Sequence, residues 1–155
     1  MCKICWSSLA ALLLLGGLLG YRFIFQGDTL PLADGRVAIQ LNDSERDLLL
    51  SEMRGFLATL QAITEGATGD DLALAANAAR KAGIAAQKGV PVSLMSKLPL
   101  AFKQLGVDTH RQFDQLALDA DQMGDADHTL GQMSRLMQNC VSCHAAYRIA
   151  LADES

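Results

Sequence analysis

The chain has 155 residues, half of them hydrophobic, with only 5% aromatic residues and a formal net charge of −4. That length suits one domain with a modest core and leaves no room for a second catalytic module. Scattered basic residues on an acidic background make no footprint for nucleic acid, and Ala- and Leu-rich stretches without alternating β-branched runs favour an all-α fold.

The first element is the N-terminal stretch "MCKICWSSLAALLLLGGLLGYRFIF", in which Lys3 precedes an apolar run from about Trp6 to Phe25 broken only by Ser7, Ser8 and Arg22. About twenty residues of helix cross the hydrocarbon layer of a bilayer, and Leu12 to Gly20 offers no convincing small-x-small cleavage site. Residues 1–27 are therefore read as an uncleaved membrane anchor, with a removed signal peptide as the alternative. Trp6 and Tyr21 suit the interfaces, and Arg22 can snorkel. Cys2 and Cys5 form a C-x-x-C with no histidine after it, and they precede the apolar run rather than follow it as a lipoprotein cysteine would, so they are read as incidental.

Residues 28–42 contain Pro31 and an Asp34-Gly35 turn and read as a tether. Residues 43–155 then show four helical stretches, expected as an antiparallel four-helix bundle. The first opens on the Asn42-Asp43-Ser44 cluster and runs to about Glu65, with Leu49, Leu50, Met53, Phe56, Leu57, Leu60 and Ile63 as its apolar stripe. The second, from about Asp70 to Lys88, carries a stripe of Leu74, Ala75, Ala78, Ala82 and Ala85, small enough for close approach of a helix or a flat cofactor. Pro91 and Pro99 then interrupt the periodicity, leaving a crossover with one short helix around Leu100 to Leu105. A capping box at Thr109 and Gln112 starts the third long helix, which buries Phe113, Leu116, Ala117 and Ala120. The fourth begins near Asp127 and places Met133, Met137, Cys140, His144, Tyr147 and Leu151 along one side. His110 and His128, at helix starts without cysteine partners, are read as surface residues.

Near the end stands "NCVSCHAAYR". On a helix Cys140, Cys143 and His144 project from one turn, which suits two thioether bonds to haem vinyl groups and one axial imidazole. With 4 Cys and 3 His in the chain, shuffling would produce C-x-x-C-H on the order of a few times in a thousand. A redox thiol pair would be expected after a strand in a βαβ unit, and structural zinc needs a fourth ligand, so both remain weaker alternatives.

Four helices with C-x-x-C-H on the last resemble the cytochrome c-prime family, the class II c-type cytochromes. The likeness runs from about Asp43 to Ala152, strongest at "CVSCHAAYR" and weaker at "ERDLLLSEMRGFLATLQAI". It implies one covalent haem c on Cys140 and Cys143, His144 as axial iron ligand, Arg148 beside a propionate, and Arg46 as a second propionate partner. Electron transfer is expected, in the bacterial periplasm where c-type haem is attached, with redox partner proteins and a homodimer as one arrangement; enzymatic turnover is the weakest reading, because no further histidine or acidic pair falls over the distal iron face. The segment "VPVSLMSKLPLAFKQLG" departs from the family, lacking its tryptophan and long glycine-rich loop. By the same resemblance Leu50 covers the iron face opposite His144, where low-spin relatives place a methionine ligand. Leucine cannot ligate, and Met53, about 5 Å further along the axis, is the sixth-ligand candidate, with Met95 fainter. The expectation is therefore an open, five-coordinate iron that takes up carbon monoxide or nitric oxide, with gas binding as the alternative function.

Overall fold

The apolar N-terminal run folds as helix α1 (Lys3–Gly20), prolonged by a π-helical turn, Tyr21–Gln26. The stretch Trp6–Gln26 is long and apolar enough to cross a membrane, and none of it is buried within the protein. A helix apolar on every side is built for an apolar solvent. This computed structural model describes residues 3–152, so Cys2 lies outside the described residues.

Strands β1 (Thr29–Pro31) and β2 (Val37–Leu41) follow, joined through a turn at Asp34 and Gly35 in which the Leu32 N–H donates to the Arg36 carbonyl at 2.9 Å. The predicted turn is present, but residues 28–42 are no tether. Ile39 and Leu41 are fully buried, and β-branched or aliphatic side chains on alternate positions pack well on a pleated surface.

Helix α2 (Asp43–Thr68) begins at the expected place: the Asn42 side chain accepts from the Glu45 N–H at 2.9 Å, and the Glu45 carboxylate accepts from the Asn42 N–H at 3.2 Å. This is a capping box. Helix α3 (Leu72–Lys81) is shorter than predicted, because a 3-10 turn at Ile84–Gln87 replaces its expected last turns. Its inner face is Ala75, Ala76, Ala78 and Ala79, while Leu74 and Ala85 are exposed. Helix α4 (Val92–Lys97) occupies the segment between the two prolines, and α5 (Leu100–Met123) runs on without a break. Thr109 caps nothing; its hydroxyl donates to the Leu105 carbonyl one turn back, at 2.8 Å. The predicted break between Leu105 and Thr109 fails because packing on α3 and α6 outweighs the propensity penalty of the one helical glycine there, Gly106.

Helix α6 (Ala126–Ala146) is capped by Asp125, whose side chain accepts from the His128 N–H. It ends earlier than its apolar period suggested. Tyr147–Leu151 is strand β3, pairing in parallel with β2 so that Val37 stands opposite Tyr147 and Leu41 opposite Leu151. The sheet order is β1-β2-β3. The molecule is therefore predominantly helical, as expected for its composition, with a small sheet that was not foreseen.

Helix α2 contacts α3 and α6, and α5 contacts the same two. The apolar interior is split. One cluster centres on Ile63, Phe113, Leu116 and Leu136 with the α3 alanines; the other joins Ile39 and Leu41 to Leu49, Leu94 and Leu98.

Candidate functional site

Helix α6 buries Thr129 and Leu136, with Met133 and Cys140 packed beside them. This 4-3-4 spacing defines its inner stripe and corrects the expected one: Met137 is exposed, and Leu136 takes the core position. Further along the same helix, Cys140, Cys143 and His144 all line one cleft of about 760 Å³. That volume is within the range of small-molecule and cofactor sites, about 300–1,000 Å³.

The cleft lies where the two apolar clusters fail to meet. Phe56, Leu60 and Cys140 belong to or pack on the first, and Leu49, Met53, Leu94, Leu98 and Phe102 on the second, yet all of them line it. Helix α2 forms one wall with Leu49, Met53 and Phe56, and α6 contributes the cysteine and histidine side chains. Leu50 is half-buried and is not among the lining residues; Leu49, one residue earlier, lines the cleft instead. Met53 does line the cleft, as does Met95.

The two thiols are half-buried and free, with no disulfide between them. Burial raises the Cys140 pKa; burial, with the neighbouring Cys140, pushes Cys143 up to about 11. Both are therefore thiols at neutral pH. A redox or nucleophilic C-x-x-C has the opposite signature, a lowered pKa that makes the thiolate available. No three His, Cys, Asp or Glu side chains among the described residues form a group that would hold a metal ion unaided, so a structural zinc lacks its ligand set. A haem brings four nitrogen ligands of its own, and asks of the protein only an axial donor, two thiols and apolar walls. The residues present meet those requirements.

Arg148 is a correction. It is not one turn beyond His144 on a helix; it lies on β3, exposed, beside Ala38 in the sheet register. Together with Arg46 it lines a separate small pocket between the β1–β2 hairpin, β3 and α2, containing Leu30, Leu32 and Gln40. Neither arginine is on the cleft. The cations that do line it are Lys81, Lys88 and Lys103.

His110 is a second correction. It is 1% exposed and lines the cleft floor, not the surface. Its Nδ1 donates to the Ala82 carbonyl at 2.7 Å, its Nε2 faces the Glu52 carboxylate at 3.3 Å, and the Phe56 ring meets it edge-on. Two acceptors facing both ring nitrogens favour the doubly protonated form. Burial alone would lower the pKa, but the Glu52 and Ala82 hydrogen bonds and the Glu52 charge together outweigh it, and the pKa is raised above 6.5. His128 is half-exposed, with Nε2 at 3.7 Å from Asp119. Glu52, His110 and the three lysines were not legible as site residues; the misplaced helix start at Thr109 hid the inward face on which His110 lies. No model of a known protein family, no curated protein and no solved structure matches the chain.

Proposed function

We propose that the protein is a c-type cytochrome carrying one covalent haem c and acting in electron transfer. Cys140 and Cys143 hold the haem through thioether bonds, and His144 is its axial iron ligand. Helices α2, α3, α5 and α6 form the antiparallel four-helix bundle around it, in the bacterial periplasm, with α1 as an inner-membrane anchor. The observation that carries this reading is the shared apolar cleft: all three residues of the C-x-x-C-H line it, together with Leu49, Met53 and Phe56 of α2.

The bound haem supplies an iron that cycles between ferrous and ferric states. The residues of this chain do the rest. His144, exposed and lining the cleft, would ligate the iron, and its exposure would leave part of the cofactor open to a redox partner. Lys81, Lys88 and Lys103 supply positive charge to an anionic cofactor edge, the role first expected of Arg46 and Arg148. Leu49 and Phe56, apolar and lining the cleft, would exclude water from the cofactor.

Mass spectrometry of the full chain, expressed with a c-type maturation system, tests the reading. The expected result is an added haem mass that is lost in a Cys140→Ala, Cys143→Ala variant. An unmodified chain from the competent host overturns the proposal.

A gas-binding haem is the second reading, favoured by the α2 wall: Leu49 and Phe56 have no donor atom, and Met53 alone among the three has one. The expected outcome is a largely high-spin ferrous protein whose spectrum shifts with carbon monoxide. A low-spin protein that binds the gas only after Met53→Ala would make Met53 the sixth ligand and close the open-site reading.

A further inference from the structure

The N-terminal helix does not leave the domain through a free linker. Gly27, at φ +66°, directly follows the apolar stretch, and a Cβ there would lie 2.3 Å from the Lys97 carbonyl oxygen and 2.7 Å from the Pro99 nitrogen. The next residue, Asp28, donates its N–H to the same Lys97 carbonyl at 2.7 Å. The end of Trp6–Gln26 is thereby pinned to the C-terminal end of α4. Val92, at the other end of α4, is only about 7.5 Å away from Lys97 along the axis. The polar layer outside the hydrocarbon core is about 5–7 Å deep on each side. When α1 spans a bilayer, α4 therefore sits at or just beyond headgroup level, whichever way its axis points.

Its surface matches that position. Leu94 and Leu98 are buried in the second apolar cluster, which leaves Val92 and Met95 outside. Val92 is 84% exposed, more than any other large hydrophobic side chain among the described residues, those of the membrane-length helix included. Lys88, exposed four residues earlier, suits a phosphate headgroup.

Resting on the reading of α1 as a retained anchor, we propose that α4 is a second membrane contact, with Val92 and Met95 seated in the interfacial layer of the phospholipid bilayer. Because Leu94, Met95 and Leu98 also wall the cleft, this contact holds that side of the cleft against the membrane. The partner that reaches it is then one embedded in, or lying on, the same membrane.

Depth-dependent quenching tests this with the full chain in vesicles of phosphatidylcholine and phosphatidylglycerol, with and without bromine near the headgroup end of the acyl chains. Trp6 is the one tryptophan of the chain and reports the anchor. In a Trp6→Phe background, Val92→Trp reports α4, and Leu118→Trp, about 27 Å along α5 from its start, is the control. The expected result is loss of roughly half the emission of the Val92→Trp variant in brominated lipid, with the Leu118→Trp variant unchanged. If Trp6 is quenched but Val92→Trp behaves as the control, the α4 contact is wrong and the anchor stands. If Trp6 is not quenched either, the anchor reading falls and the proposal falls with it.

Discussion

His110 and Arg148 show how one side chain's role depends on the face its backbone gives it. The sequence placed His110 at a helix start, where a histidine is normally solvated; in the continuous helix α5 it points to the Ala82 carbonyl and Glu52. Its pKa is raised in the fold, so its charged-pair contribution is complete below the unfolded value of about 6.5 and is lost as pH rises through the folded value. Replacement by phenylalanine, which keeps the volume and removes both hydrogen bonds, is therefore expected to cost more stability at about pH 5.5 than at about pH 8.5. Urea unfolding of the two proteins at both pH values checks this, and an equal difference would refute the linkage. If the proposed haem is bound, Arg148→Ala is expected to leave its absorption spectrum unchanged, because the side chain lines the pocket beside Arg46 and not the cleft that Cys140, Cys143 and His144 share. Nothing in "CHAAYR" announces the change from a period of 3.6 to a period of 2 that moves Arg148 off the His144 face.

Strand β3 explains that ambiguity at the level of elements. Tyr147 and Leu151 continue the helical stripe of α6 as i and i+4, but Tyr147, Ile149 and Leu151 equally satisfy strand alternation, and short apolar runs do not decide between the two. The partner decides: β2 offers open backbone groups at the point where α6 ends, and Tyr147 and Ile149 gain contact with the Leu94–Leu98 cluster. Similarly, the Asn42 cap was legible, but the role of Glu45 in it, and its second partner, were not. Buried at the start of α2, it pairs with Lys97 of α4 at 2.6 Å. Burial would raise the Glu45 pKa, but the Lys97 hydrogen bond and the Asn42 N–H lower it overall. That stabilisation is present above the unfolded carboxylate value of about 4.3 and is lost as pH falls through the folded value. Glu45→Ala is expected to cost about 2 kcal/mol near neutral pH, by loss of half the capping box and of the Lys97 partner, and less in acid. Chemical denaturation at both pH values measures it. Gly83 marks another close approach: a Cβ there would lie 1.8 Å from Asp114 Oδ1, while Asp114 Oδ2 accepts from the Ile84 N–H at 2.9 Å. Gly83→Ala should destabilise by roughly 1–3 kcal/mol, and Asp114→Ala in the same chain should recover part of that loss by removing the clash.

For the whole molecule the decisive feature is the divided interior. Two apolar clusters face each other across the cleft, and a flat apolar cofactor between them would make one continuous core. A cofactor bound only by the folded chain adds stability, and an empty slot leaves side chains without neighbours. The Cys140→Ala, Cys143→Ala apo-protein is therefore expected to melt well below the holo-protein and with a broader transition; equal midpoints by circular dichroism would count against haem as part of the core. The amino-acid sequence by itself determined what depends on near neighbours. The apolar N-terminal helix, the Asn42 cap, the mostly helical composition and the grouping of Cys140, Cys143 and His144 on one turn all rest on residues within a few positions of one another. Only the tertiary structure decided what depends on distant partners: β2 paired with β3 across more than a hundred residues, α4 against Gly27, His110 between Ala82 and Glu52, and Leu49 in place of Leu50 on the cleft. The reason is that hydrogen-bond caps and helical periods are local energies. Which face of an element is buried is settled by the competing apolar surface of elements far away in the chain.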